Sequence, residues 1–80
     1  MPNPSSQRQH PSLIALGDAL RRRRIERGIS QEELAFRAQV DRSYVGRVER
    51  GDNNVAFLTL LKLAHSLELT MKELMDEAKL

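Results

Sequence analysis

Arg42, Ser43, Gly46, Arg47 and Arg50 share a short stretch with Val45 and Val48. On a helix the two valines, three residues apart, lie on one face and the polar residues turn away from it. Arginines on an outward helical face are suited to DNA. Guanidinium is a planar fork that matches phosphate oxygens and the O6/N7 edge of guanine. The surrounding charge agrees. Residues 21–50 hold nine arginines against five acids, a balance of +4, whereas residues 51–80 hold three lysines against five acids, a balance of −2. Residues 1–20 set Arg8 against Asp18. A solvated basic face has the same composition, so charge alone does not decide between the two.

Other chemistries lack their residues. Cysteine is absent, which removes disulfides and thiolate metal sites. His10 and His65 are too distant in sequence to suggest a ligand pair, and neither a metal nor a cofactor is expected. No glycine-rich phosphate loop, zinc spacing or plausible triad is present, so an enzyme is not expected. No apolar run approaches the ~20 residues of a membrane span. The N-terminus carries Pro, Ser and Gln rather than a secretory signal, and a cytoplasmic protein is the expectation.

The elements that must position the arginines follow from spacing and caps. Residues 1–12 hold all three prolines and read as a disordered arm; residues 13–80 read as one all-α domain. Leu13, Leu16 and Leu20 mark a first helix to Arg27, with Ser12 as cap, Ile25 among its apolar positions and Gly28 as left-handed stop. The next inward position after Leu20 is Arg24, which then needs an acidic partner. Arg21, Arg22 and Arg23 point elsewhere. Ser30 to Glu33 reads as a capping box opening a short second helix through Leu34, Ala35 and Ala38. Gln39 to Asp41 is a tight turn anchored by Val40, and Asp41 caps a third helix, Arg42 to Arg50, stopped by Gly51. A fourth helix, about Ala56 to Leu67, is apolar around much of its girth. One side carries Leu58, Leu61 and Ala64, and Phe57, Leu60 and Leu63 lie beside it. Thr70 to Glu73 is a second capping box, opening a fifth helix to about Ala78.

Two short helices joined by a turn in an arginine-rich stretch outline a helix-turn-helix. From Leu16 to Leu74 the sequence resembles the lambda-repressor-like, or XRE-type, helix-turn-helix domain. SQEELA, SYVGRVERG and LTLLKLAHSLELTMKEL carry the likeness. The resemblance implies a compact five-helix fold with the helix-turn-helix at its second and third helices. It implies base reading in the major groove by Arg42, Ser43 and Arg47. It places Gln31 at a phosphate, where a helix N-terminus also favours an anion. Arg50 and Asn53 fall in the stretch that follows the third helix along the DNA backbone, Tyr44 at a position that contacts the backbone or packs, and Arg37 is a further backbone candidate. Arg24 and Glu49 match a partly buried ion pair. Gln39 stands where the family often has glycine, so a left-handed residue is expected there. Val55 replaces a frequent proline. Gly46 admits two readings, close approach to DNA or a tolerated small residue.

Such a module covers half an operator, so a homodimer on a palindrome is expected. Leu69, Met71, Met75 and Leu80 are the expected dimer surface. Double-stranded DNA and a second copy are the expected partners, with RNA polymerase a further candidate; neither a small-molecule ligand nor a membrane is expected. Restriction-modification controller proteins, phage-type repressors and antitoxin-like regulators share this size and pattern. A helical interaction module without DNA binding is the alternative from another class.

Overall fold

The computed structural model describes residues 8–80. They form α1 (Pro11–Glu26), α2 (Gln31–Ala38), α3 (Arg42–Glu49), α4 (Phe57–Ser66) and α5 (Met71–Ala78), with no strand among the described residues. The all-α, five-helix architecture expected from the sequence is the one observed. The expected N-terminal arm lies mostly outside the described residues, and its end is corrected. α1 begins at Pro11, because proline at the first helical position gives up an N–H that has no helical partner anyway. His10 replaces Ser12 as the cap, its Nδ1 accepting from the Ser12 N–H at 3.1 Å.

The turns close as local chemistry dictates, with two exceptions. Gly28 has φ 71°, and the Ile29 N–H reaches Arg24 O at 3.3 Å. Gln39 takes the left-handed conformation at φ 61°. Its N–H reaches Phe36 O at 3.2 Å and the Val40 N–H reaches Ala35 O at 3.0 Å, a Schellman closure. The Thr70 box is complete, with Thr70 Oγ1 and Glu73 N at 3.0 Å and Thr70 N and Glu73 Oε1 at 2.9 Å. The Ser30 box is only half formed. Ser30 Oγ accepts from the Glu33 N–H at 3.0 Å, but the Glu33 carboxylate turns to Arg37 Nε at 2.8 Å, one helical turn on. Asp41 precedes α3 in extended geometry yet makes no side-chain cap bond.

Leu20, Leu34, Val45, Leu63, Leu67 and Leu74 are the largest fully buried side chains. Each contributes about 1.5–3 kcal/mol of burial. α2 packs on α3 and α4, and α1 packs on α3 and α5, so α3 is held from two sides. Buried Ala35 and Ala38 let α2 lie close to its neighbours. Val45 and Val48 turn inward as expected, at 1% and 3% exposure.

Three apolar expectations change. Ile25 is 57% exposed, because the inward position of that turn belongs to Arg24. α4 buries Leu60, Leu63 and Ala64 and leaves Phe57 and Leu58 open at 62% and 72%; burial is one-sided rather than all round. Leu69 is a core residue at 3% exposure and has no surface to offer a second copy. Met71 and Met75 are half-buried against the core, and Leu80 is exposed.

Candidate nucleic-acid interface

α3 presents Arg42 and Ser43 to solvent at its start and Arg47 half-buried one turn later. The Arg47 Cζ sits 5.6 Å from the centroid of the Tyr44 ring, a cation–π arrangement. Tyr44 packs against the core, and that burial raises its phenol above the usual 10.0, with the Arg47 charge pulling the other way. The phenol is therefore neutral at physiological pH.

Behind this face α3 is braced. Arg24 grips Glu49 with a fork, Nε to Oε2 at 2.7 Å and Nη2 to Oε1 at 3.1 Å. Arg24 Nη1 donates to Ile29 O at 3.0 Å. The side chains are 12% and 3% exposed, so the charges are largely withdrawn from water. Gln31 Nε2 donates to Glu49 Oε1 at 3.0 Å. The Gln31 side chain thus ties the start of α2 to the end of α3. Its backbone N–H, at the first helical position, is a donor no helical carbonyl can reach.

A cleft of about 190 Å3 opens beside this network, lined by Arg21, Arg24, Gln31, Gly46, Glu49 and Arg50. A Cβ on Gly46 would lie 3.2 Å from Arg50 Nη1 and 3.8 Å from Gln31 Oε1. Gly46 is therefore covered by protein side chains, and it leaves room for the Arg50 guanidinium. The arginine run divides by function. Arg22 and Arg23 are tied to Glu77 of α5, and Arg24 to Glu49. Arg21 enters no ion pair among the described residues and faces the cleft.

Arg50 leads to an arrangement that sequence reasoning missed. Asp52 is buried at 7% exposure and accepts from Gln9 Nε2 at 2.6 Å and Arg50 Nε at 3.1 Å, with Arg8 Nη2 at 3.5 Å. The Gln9 hydrogen bond, then that of Arg50, holds the Asp52 carboxyl below its usual range. Gln9 also bonds Arg50 O through its side chain at 2.8 Å and Gly51 O through its N–H. The chain before α1 is thus clasped to the end of α3. A composition rich in Pro, Ser and Gln gives no sign of this, because the partners lie more than 40 residues apart.

Arg37 is set apart from the other expected contacts. It pairs with Glu33 at 2.8 Å and lines a shallow surface with Lys62, His65 and Ser66 of α4. Its charge is already partnered and lies off the α3 face. Among the described residues no cluster of His, Asp or Glu suits a metal ion, and no helix is long and apolar enough to cross a membrane.

Residues 20–74 match the family described as Helix-turn-helix (HTH_3). The chain is 33% identical over 64 residues to control protein C.BamHI of Bacillus amyloliquefaciens, covering 79% of each. Its fold matches the restriction-modification controller protein C.AhdI of Aeromonas hydrophila with TM-score 0.79 and 48% identity, over 81% of this chain and 98% of that one. It also matches C.Esp1396I in a nucleoprotein complex, with TM-score 0.73 and 27% identity over 84% of this chain and 92% of that one. The chain belongs to the XRE-type helix-turn-helix family, with α2 and α3 as the motif.

Proposed function

We propose that this chain is a sequence-specific transcription regulator that binds double-stranded DNA as a homodimer, in the manner of a restriction-modification controller protein. α3 enters the major groove and reads bases through Arg42, Ser43 and Arg47. The observation that carries this reading is the split of α3. Val45 and Val48 fix it to the core, while Arg42 and Ser43 stand exposed and Arg47 half-exposed on the outer side. Phosphates are met by the Gln31 N–H and by Arg21 and Arg50 at the cleft; Arg37 is left out because it lines a different surface, with Lys62, His65 and Ser66. The nucleoprotein complex of a related controller protein supports the choice of DNA. Such a protein acts in the cytoplasm, with RNA polymerase as a further partner.

One module spans half a site, and two related by a two-fold axis meet half-sites about 34 Å apart. The second copy is assigned to the open flank of α4, around Phe57, Leu58 and Leu61, together with Leu80. Phe57, Leu58 and Leu80 supply exposed apolar area that Leu69 does not, and Leu61 is half-buried. A Leu58→Asp variant is expected to sediment as a monomer and to keep its fold, because that side chain is 72% exposed. A dimer of unchanged affinity would place the interface elsewhere.

The deciding experiment is selection of bound sequences from a random duplex pool, followed by binding at several salt concentrations. A palindrome is expected, with log affinity falling by about 0.9 per phosphate neutralised for each unit of log salt. Absence of salt-dependent retention on duplex DNA would favour the interaction-module reading. Arg47→Ala is expected to cost about 1–3 kcal/mol on the selected operator and to relax preference at one base pair. Equal losses on all sequences would remove Arg47 from base reading.

A further inference from the structure

The loop after α3 folds back onto Arg47. The Asp52 N–H donates to Arg47 O at 2.9 Å. With the Asn53 amide in the orientation that satisfies both its ends, its oxygen accepts from Arg47 Nε at 3.3 Å and its nitrogen donates to Asp52 O at 3.2 Å. On another side the Arg47 guanidinium lies over the Tyr44 ring at 5.6 Å. Arg47 is therefore held at Nε and on one π face, while neither Nη group has a hydrogen-bond partner among the described residues. Its neighbours differ. Arg42 is exposed and enters no ion pair among the described residues, and Arg50 is tied through Nε to Asp52.

We propose that Tyr44 and Asn53 are positioning residues for Arg47, and that the three together select guanine at one operator position. This rests on the DNA-reading function above. Guanine is the base that offers two acceptors, O6 and N7, to a fork of two parallel N–H groups. A free arginine side chain samples many rotamers and meets bases or phosphates alike. A guanidinium fixed beforehand loses less freedom on contact and tolerates a misplaced acceptor poorly, so restraint becomes discrimination. The resemblance-based expectation for Asn53, and one of the two for Tyr44, is different: contact with the DNA backbone, which fixes register but carries no sequence information.

The two roles separate in one experiment. Bound duplexes are selected from a random pool with the intact chain and with Arg47→Ala, Asn53→Ala, Tyr44→Leu and Tyr44→Phe. Arg47→Ala identifies the base pair concerned. Asn53→Ala and Tyr44→Leu are expected to relax guanine preference at that same pair on the order of 5-fold or more. Other positions of the motif and the salt slope should not change. Tyr44→Phe keeps the ring and is expected to keep the preference. Asn53 lies on a loop outside the core, so Asn53→Ala remains informative even if Tyr44→Leu fails to fold. The proposal is overturned if Asn53→Ala selects the same motif with the same guanine preference. It is equally overturned by a uniform loss of affinity with a salt slope reduced by about 0.9, the mark of a lost phosphate contact. An intact chain that selects no sequence would overturn the DNA-reading function, and the positioning role with it.

Discussion

A Glu49→Ala variant is expected to lose about 3–5 kcal/mol of stability, the cost of leaving one member of a buried ion pair alone. The Arg24 guanidinium would remain in place at 12% exposure with its two carboxylate bonds gone. Gln31 would lose the acceptor that ties α2 to α3. In a domain whose whole stability is on the order of 5–15 kcal/mol, that loss is a large share. At roughly 4–8 °C per kcal/mol for a domain of this size, the melting temperature should fall by more than about 10 °C. Replacing both partners by apolar residues, Arg24→Met with Glu49→Leu, is expected to recover much of it, since no unpaired charge is then buried. Thermal unfolding of both variants checks this. A single variant melting within a few degrees of the parent would show that the pair does not hold the helices together.

Gly17→Ala is the second large effect. A Cβ built on Gly17 would lie 2.2 Å from Val48 O and 2.7 Å from Glu49 O. Both atoms are backbone at the end of α3, so no rotamer change relieves the clash. α1 must move off α3, and the expected net loss is at or beyond the upper end of the about 1–3 kcal/mol typical of overpacking. The better helix propensity of alanine offsets only about 1 kcal/mol of that. Gly46→Ala provides the contrast. Its Cβ would meet the tip of the Arg50 side chain at 3.2 Å, and that tip can swing aside. Urea midpoints should therefore fall sharply for Gly17→Ala and little for Gly46→Ala. Equal midpoints would mean that the α1–α3 crossing tolerates more separation than this geometry allows.

These two effects differ in how far the sequence announced them. Arg24 was readable as an inward arginine because it continues the Leu16 and Leu20 stripe. Its need for an acid follows from the cost of burying a lone charge. Gly17 was not readable, since a glycine inside a helix signals only weak propensity until a crossing partner is known. The apolar girth of α4 was similarly ambiguous. Periodicity shows that the helix is hydrophobic, but not which flank its neighbours cover, so it does not reveal that Leu58 stands open while Leu69 is buried.

Local information therefore determined what depends on near neighbours. The caps at Ser30 and Thr70, the left-handed stops at Gly28 and Gln39 and the inward spacing of Val45 and Val48 all arise within a few residues. So does the outward set Arg42, Ser43 and Arg47 that defines the motif. Only the tertiary structure decided which arginines are free. It fastened Arg22 and Arg23 to α5 and Arg24 to Glu49 of α3, and it brought Gln9 to the Asp52 that holds Arg50. Where a long charged side chain comes to rest depends on helix crossings and loop paths that join residues up to 55 positions apart. No periodicity in the chain encodes those paths.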